Sequence, residues 1–296
     1  MTVLVLSPLY PDDALGGLAV VREPREDVEA ILTMPAFPVT GDDMDALPGL
    51  RVVATGTIGY DHIDVDAAAA RGVWVCNVPD YCVEEVADHT LALLLALTRG
   101  VVALDRDVRA GRWDPRAAGP LRTLARLRVG IVGHGRIGGA VARRLAALGC
   151  EVLVNDVRDV GVPRVALDEL LARADVVTLH VPLTRETDSL IGPMEIASIK
   201  SGALLINTSR GRVVELDPLV RALREGHLGG AALDVLPEEP PPEVPQLPNL
   251  IVTPHAAWHS AEAERKAIAD AVEAVRTALR GERPSTAVPE TWETRA

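Results

Sequence analysis

Aromatic residues make up only 3% of the 296-residue chain, which leaves few side chains for stacking on nucleic-acid bases. Basic residues are also in the minority, because 30 Lys and Arg stand against 42 Asp and Glu, for a net charge of −12. An acidic surface repels phosphate backbones, so the composition predicts no nucleic-acid partner.

The chain has only three cysteines, Cys76, Cys82 and Cys150, and they form neither an even disulfide set nor a metal-ligand pattern. We therefore expect no metal site and a reducing, cytoplasmic location. The longest apolar run, residues 91–97, is too short to span a bilayer, so no membrane partner is expected. The apolar start lacks a basic region and a cleavage site, and is interpreted as a strand rather than a signal peptide.

Short β-branched runs alternate with helical patterns along the chain, which predicts an α/β protein with parallel sheets. One long helix is predicted from Val83 to Ala110, with Gly111 as its stop. The proline-rich stretch 237–248 is predicted to be an irregular loop. The predicted strands are 3–6, 18–21, 30–33, 51–55, 73–76, 128–132, 151–155, 175–180, 203–208, 230–235 and 250–253.

A glycine motif of the form G-x-G-x-x-G follows predicted strand 128–132 and opens a helix, which is the context of a dinucleotide site. The next strand ends at Asp156, whose carboxylate can accept hydrogen bonds from the ribose hydroxyls of NAD and would repel the 2′-phosphate of NADP. Arg158 softens that preference, so NAD is expected and NADP is the weaker alternative. The motif residues are Gly133, His134, Gly135, Arg136, Ile137 and Gly138.

Polar side chains stand at five predicted strand ends of the second series, where ligands bind in open parallel sheets. Each alone could be a helix cap or an ordinary hydrogen-bonded residue, but together they outline one crevice. These residues are Asp156, His180, Arg210, Asp234 and His255.

Reduction of a 2-oxo acid needs a guanidinium to hold the carboxylate, a general acid to protonate the oxygen, and a carboxylate to orient that acid. Arg210 and His255 can supply the first two groups. Glu239 or Glu238 can supply the third.

These residues lie in three stretches that resemble, in the same order, the motifs of the D-isomer-specific 2-hydroxyacid dehydrogenases. The stretches are 206–211, 234–240 and the triplet Thr253-Pro254-His255. By this resemblance Arg210 binds substrate, Glu239 partners His255, and Asp234 contacts the nicotinamide carboxamide. The resemblance covers nearly the whole chain, and it implies further cofactor contacts at Val86, His180, Val181, Pro182 and Thr208.

Upstream, residues 57–64 resemble the family's loop whose backbone amides bind the substrate carboxylate, here at Ile58 and Gly59. A simple strand-to-helix turn is the alternative interpretation. Thr55 stands where the C-terminal-binding-protein corepressors of this family carry an arginine, so one anion contact of those proteins is missing. Trp258 is either a wall of the substrate pocket or a packing residue.

The resemblance implies two Rossmann-like or flavodoxin-like domains with doubly wound parallel sheets. The substrate domain is expected to be discontinuous, residues 1–94 and 262–296, around an NAD-binding domain at 95–261. Within the family the chain most resembles the C-terminal-binding-protein corepressors and their bacterial relatives. We expect an NAD-dependent homodimer that interconverts a small anionic 2-oxo acid and its D-2-hydroxy acid. The alternatives are an NAD(H)-sensing scaffold for partner proteins, and the same fold acting on phosphite or phosphonopyruvate.

Overall fold

The computed structural model describes residues 1–292 of the chain. The strands are β1 (Thr2–Val5), β2 (Ala19–Val21), β3 (Val28–Thr33), β4 (Val52–Thr55), β5 (Trp74–Cys76), β6 (Arg128–Val132), β7 (Glu151–Asn155), β8 (Val176–Leu179), β9 (Leu204–Asn207), β10 (Gly230–Leu233) and β11 (Leu250–Val252). The helices are α1 (Gly41–Asp45), α2 (Val65–Ala70), α3 (Val83–Thr98), α4 (Val101–Arg109), α5 (Arg136–Ala147), α6 (Leu167–Arg173), α7 (Pro193–Ser198), α8 (Leu216–Arg224), α9 (Ala261–Leu279) and α10 (Pro289–Trp292).

The chain divides into two compact units. The first is formed by Met1–Tyr81 together with the chain from Ser260 onward, and the second is Cys82–His259. The predicted boundary after residue 94 falls inside α3, whereas the whole helix groups with the second unit because its Leu93 and Leu94 are buried in that unit's core. The last four residues of the predicted segment 262–296 lie outside the described residues.

The first unit is built on a five-stranded parallel sheet in the order β2-β1-β3-β4-β5. This is the flavodoxin-like order, in which the chain starts near one edge and reverses direction once. The three inner strands β1, β3 and β4 are almost wholly buried on both faces and consist, apart from Glu29, of Val, Leu, Ile, Ala and Thr, as expected for a covered parallel sheet. Helix α9 packs on β3 and β4, so the end of the chain completes this unit.

The second unit contains a six-stranded parallel sheet in the order β11-β10-β9-β8-β6-β7. Successive strand residues point to opposite faces, and each face has its own core. Val177 and Leu205 belong to one core, and their neighbours Val176 and Leu204 to the other. The predicted α/β architecture of doubly wound parallel sheets is therefore confirmed. The strand order reverses between β6 and β8, the position at which such sheets bind ligands.

The predicted single helix from Val83 to Ala110 is wrong, because the chain forms α3 and α4 with a bend of 60° between them. Gly100 separates the two helices and has a left-handed backbone, with φ of 61°. A Cβ there would lie 2.5 Å from the Cβ of Ala118, so both the conformation and the close packing require glycine.

Within residues 1–292 no single helix has the length and apolar composition to cross a membrane. Only the bent pair α3 and α4, taken together, meets that length and composition.

Candidate active site

The glycine motif forms a tight turn between β6 and α5 in the second unit. Gly133 has a left-handed φ of 88°, and a Cβ there would lie 2.5 Å from the carbonyl oxygen of His180 at the end of β8. A Cβ on Gly138 would overlap the carbonyl oxygen of Gly133. These two glycines are therefore required by the packing of the chain on itself.

Gly135 has a different role, because the fold itself does not require a glycine there. Its φ of −77° is open to any residue, and the nearest atom to an added Cβ is a guanidinium nitrogen of Arg158 at 3.9 Å. Gly135 is also the N-cap of α5, and no side chain caps the first amides of this helix. A bare backbone at a helix N-terminus fits the pyrophosphate of a dinucleotide.

Asp156 follows β7 and faces the glycine motif. Its Oδ2 accepts a hydrogen bond from the His134 amide at 2.8 Å, and its Oδ1 accepts one from the Arg158 amide at 2.9 Å. Burial opposes ionisation, but these amides and the Arg158 side chain outweigh it and hold the pKa of Asp156 below its ordinary value. The side chain is 6% exposed while that of Arg158 is 71% exposed. An anionic carboxylate at this strand end fits the two ribose hydroxyls of NAD.

The other predicted cofactor residues lie around the same sheet edge. Val181 lies against Gly133, and Pro182 is exposed after it. Thr208 follows β9 and is buried, with its hydroxyl 3.0 Å from that of Thr90 on α3. Val86 is buried on the same helix, one turn before Thr90. Contact of these residues with a cofactor stays a prediction.

His180 stands at the end of β8, with its Nε2 3.0 Å from the hydroxyl of Thr178. Burial lowers the pKa of His180 to about 3, so its ring is neutral at physiological pH. This histidine can therefore offer hydrogen-bonding groups at the sheet edge but no charge.

The structure pairs His255 with Glu239: Nδ1 of the imidazole lies 2.6 Å from Oε2 of the carboxylate. The other oxygen, Oε1, accepts a hydrogen bond from the Leu236 amide at 3.0 Å. Burial opposes ionisation of Glu239, but the hydrogen bond to His255 with its charge, the Leu236 amide and, least of these, the charge of Arg210 outweigh it and hold the pKa of Glu239 low. Of the two glutamates left open by the residues alone, Glu239 makes this contact, and Glu238 is exposed on the loop.

Arg210 is carried by a loop after β9 that the buried side chain of Asn207 organises. Asn207 donates through Nδ2 to the carbonyl of Arg210 at 2.8 Å, and its Oδ1 accepts from the amide and hydroxyl of Ser209. The next residue, Gly211, packs so closely that a Cβ would overlap the carbonyl of Leu236. The arginine loop and the glutamate loop are therefore in direct backbone contact.

Asp234, predicted to contact the nicotinamide, is 1% exposed and holds the loop that carries His255. Its Oδ1 accepts from the Thr253 hydroxyl at 2.5 Å and the Ala256 amide at 2.9 Å, and its Oδ2 accepts from the Ala257 amide at 2.9 Å. Its backbone carbonyl accepts from the His255 amide at 2.7 Å. Asp234 therefore fixes the conformation of the loop that carries His255. A contact of Asp234 with the nicotinamide stays a prediction.

In the first unit, the predicted carboxylate loop after β4 is fixed through its carbonyl groups. The carbonyl of Thr57 accepts from the Val78 amide, that of Ile58 from the Asn77 side chain at 2.7 Å, and that of Gly59 from the Thr57 hydroxyl at 2.6 Å. The amides of Ile58 and Gly59 donate to no group in the described part of the chain. Two adjacent amides without a protein acceptor, on a fixed loop, suit an anion.

The remaining two predicted substrate residues, Thr55 and Trp258, differ in their burial. Thr55 is fully buried, and its hydroxyl lies 2.9 Å from that of Thr57, so it supports the loop from behind. Trp258 is half-buried in the second unit, with its ring edge-on to His259 at 5.3 Å between centroids. Contact of Trp258 with a substrate stays a prediction.

Asn207, Thr57 and Asn77 hold the two loops, although none of them was predicted to do so. Asn207 and Thr57 lie inside the motifs quoted above, but the role of all three residues depends on which carbonyl groups the folded loops turn toward them. A strand-end asparagine is a common loop anchor, and that is the only signal the sequence offers for Asn207.

Residues 91–257 match the family model described as "D-isomer specific 2-hydroxyacid dehydrogenase, NAD binding domain". The chain is similar to a glyoxylate reductase of Korarchaeum cryptofilum, with 40% identity over 290 residues, which is 93% of this chain and 87% of that protein.

Two solved structures extend the likeness over both units. One is a D-lactate dehydrogenase from Aquifex aeolicus complexed with NAD and lactic acid, with 30% identity and a TM-score of 0.88, covering 95% of this chain and 96% of that one. The other is an NADPH-dependent glyoxylate/hydroxypyruvate reductase from Sinorhizobium meliloti in complex with NADP and malonate, with 32% identity and a TM-score of 0.88, covering 98% and 97%.

The two classes of glycine in the motif give a testable contrast. We expect Gly135→Ala to keep the melting temperature of the protein but to weaken NADH binding at least tenfold, because the added methyl group meets only the ligand. We expect Gly138→Ala to destabilise the fold by about 1–3 kcal/mol, since the methyl group must displace backbone. Thermal unfolding and fluorescence titration with NADH measure both. Equal loss of stability in the two variants would contradict the assignment.

Proposed function

The chain belongs to the D-isomer specific 2-hydroxyacid dehydrogenase family, and from that premise we propose that it interconverts a small 2-oxo acid and its D-2-hydroxy acid with NAD(H). The observation that carries the proposal is the pair formed by His255 and Glu239, 2.6 Å apart, with the charge of Arg210 acting on the same glutamate. A cation, an imidazole and a carboxylate are the three groups that the reaction requires.

In the proposed mechanism each of these residues has one role. Arg210 binds the substrate carboxylate through its planar guanidinium and polarises the carbonyl. Nδ1 of His255 faces Glu239, so Nε2 is the atom that donates a proton to the oxygen in reduction and accepts one in oxidation. Glu239 orients the ring and stabilises its protonated form. When bound, the nicotinamide supplies or accepts the hydride.

We assign the amides of Ile58 and Gly59 to the substrate carboxylate as well. Their loop has its carbonyl groups engaged by the protein, so it keeps its shape without a ligand. Thr55 acts through Thr57 in this proposal and does not need to touch the substrate. Trp258 remains a candidate wall of the substrate pocket.

We propose NAD as the preferred cofactor, held at Gly133, Gly135 and Gly138 and at the carboxylate of Asp156. The anionic state of Asp156 supports this preference, because a 2′-phosphate would meet a negative charge at the strand end. The compared structures contain NAD in one case and NADP in the other, so the family fold accepts both.

A cytoplasmic homodimer stays the expected state of the protein. Apolar side chains exposed on α4 and the loop after it support an association of this kind: Val101 is 55% exposed, Val108 49% and Trp113 88%. The likeness to the C-terminal-binding-protein branch likewise stays a prediction. The compared proteins are named as reductases and dehydrogenases, and the intact pair of His255 and Glu239 supports an enzyme rather than a scaffold.

The central test is a panel of 2-oxo acids, with phosphonopyruvate and phosphite as alternatives, assayed with the wild-type protein and two variants of Arg210. We expect Arg210→Ala to lower kcat/KM at least a hundredfold, because two charge-assisted hydrogen bonds are worth about 3 kcal/mol together. Arg210→Lys should recover only part of that loss, since lysine keeps the charge without the planar fork. NADH binding should stay unchanged. A fully active Arg210→Ala variant would exclude this mechanism.

The negative charge of Glu239 should affect the pH dependence of kcat/KM. Glu239 is anionic at neutral pH and favours the protonated imidazole, which reduction requires. In Glu239→Gln we expect the largest loss of kcat/KM for reduction at the alkaline end of the pH profile, because the neutral amide no longer favours the charged ring. Oxidation requires the neutral ring, so its kcat/KM should be least affected at the acidic end of the profile. Glu238→Gln is the matched control, because His255 is hydrogen-bonded to Glu239 and not to this neighbour, and its profiles should not move. Identical profiles for both variants would remove Glu239 from the mechanism.

The negative charge of Asp156 should determine the preference for NADH over NADPH. We expect Asp156→Asn to raise the ratio of kcat/KM with NADPH to that with NADH roughly tenfold, since the charge that opposes the 2′-phosphate is lost. The amide oxygen can still accept from the His134 amide, so the turn should persist. Asp159→Asn, on the exposed loop nearby, serves as the control. No change in the ratio would count against the role of Asp156.

A further inference from the structure

A second histidine of the second unit reaches the residues that hold His255. His89 lies on α3, and its Nε2 is 3.2 Å from the hydroxyl oxygen of Thr253 and 3.6 Å from Oδ1 of Asp234. Its side chain is 26% exposed, whereas Asp234 is buried. The mechanism above gives His89 no role, so the contact needs its own explanation.

The direction of the hydrogen bonds follows from the proton each group carries. Backbone amides donate to both oxygens of Asp234, which makes its carboxylate an acceptor. The Thr253 hydroxyl has one proton, and it lies 2.5 Å from Oδ1 of that carboxylate, so it donates there. The lone pairs of Thr253 then remain for His89, and Nε2 of His89 must carry the hydrogen.

This chain of hydrogen bonds ends on the loop of residues 253–257. His255 sits in the middle of that loop with a φ of 52°, a left-handed conformation that a residue with a side chain adopts only when its surroundings fix it. The fixing contacts are those to Asp234, from Thr253 on one side of His255 and from the Ala256 and Ala257 amides on the other. The direction of the His255 ring therefore depends on Asp234 keeping its place.

We propose that His89 is a positioning residue for His255. Its Nε2–H donates to Thr253, the Thr253 hydroxyl donates to Asp234, and Asp234 holds the loop that presents His255 to the substrate. The proposal rests on His255 being the proton donor of the proposed function. It adds a residue of helix α3 to the support of His255, which the ends of β10 and β11 otherwise provide.

Two variants of His89 separate hydrogen bonding from simple packing. His89→Leu removes the donor, and we expect kcat for 2-oxo acid reduction to fall roughly tenfold with little change in KM or in NADH binding. His89→Gln retains an N–H donor on a side chain of similar reach, and should recover most of the loss. His227→Gln is the matched control, because the Nε2 of that histidine hydrogen-bonds the Ile196 carbonyl, 3.0 Å away, and it should behave as wild type.

A spectroscopic measurement tests the same chain without any reaction. In the protein labelled with ¹⁵N-histidine, seven histidines give ring resonances, and we expect His89 to show a protonated Nε2. Thr253→Val removes the acceptor and should abolish this tautomer preference. His89→Leu and Thr253→Val should both shift the ring resonances of His255, whereas His227→Gln should not.

The outcomes separate this proposal from the function it rests on. If His89→Leu keeps both kcat and the His255 resonances of the wild type, or if His89 carries its hydrogen on Nδ1, the positioning role is wrong. A loss in His89→Leu that His89→Gln fails to recover, with unmoved His255 resonances, also overturns it. Full activity of His255→Ala would instead overturn the proposed function, and the tautomer of His89 would still be measured independently.

Discussion

In the second unit, two backbone segments that are far apart in sequence are pressed together at the candidate site. Gly211, directly after Arg210, lies against the carbonyl of Leu236. The amide of Leu236 in turn donates a hydrogen bond to Oε1 of Glu239. This backbone contact between Gly211 and Leu236 sets the separation between the Arg210 and Glu239 loops, and it involves no side chain of Gly211. The arginine, the glutamate and, through the glutamate, the histidine are therefore parts of one rigid backbone arrangement rather than three independent side chains.

Buried polar residues provide the second level of order. Asn207 is fully buried at the end of β9, and Asp234 is almost fully buried at the end of β10. Asn207 hydrogen-bonds residues of the loop that follows it, and Asp234 hydrogen-bonds the loop after β11 that carries His255. These bonds hold the loops in addition to the apolar packing of Val213 and Leu236. An isolated polar group at these positions would destabilise the fold, whereas a fully satisfied one makes a single loop conformation favourable.

Most of the fold could be predicted from the sequence, because β-branched runs that alternate with helical patterns and glycine turns are typical of parallel sheets. The break of the long helix at Gly100 was missed, since a glycine inside a helical pattern signals a bend only when its neighbours, here Ala118, crowd it. The pairing of His255 with Glu239 rather than Glu238 needed a resemblance, because adjacent glutamates look alike without the loop. The anchoring by Asp234 could not be predicted, since it depends on amides that converge only after folding.

The carboxylate of Asp156 is tied to both the glycine turn and the loop that follows it, through the His134 and Arg158 amides. Asp156, the residue proposed to distinguish the two cofactors, therefore also stabilises the phosphate-binding turn through a hydrogen bond. An evolutionary change of cofactor at this position has to install a new acceptor for those amides at the same time as it admits the phosphate. Substitution of Asp156 by a neutral polar residue of similar shape keeps a hydrogen-bond acceptor for the turn, whereas substitution by a small apolar residue would destabilise the turn.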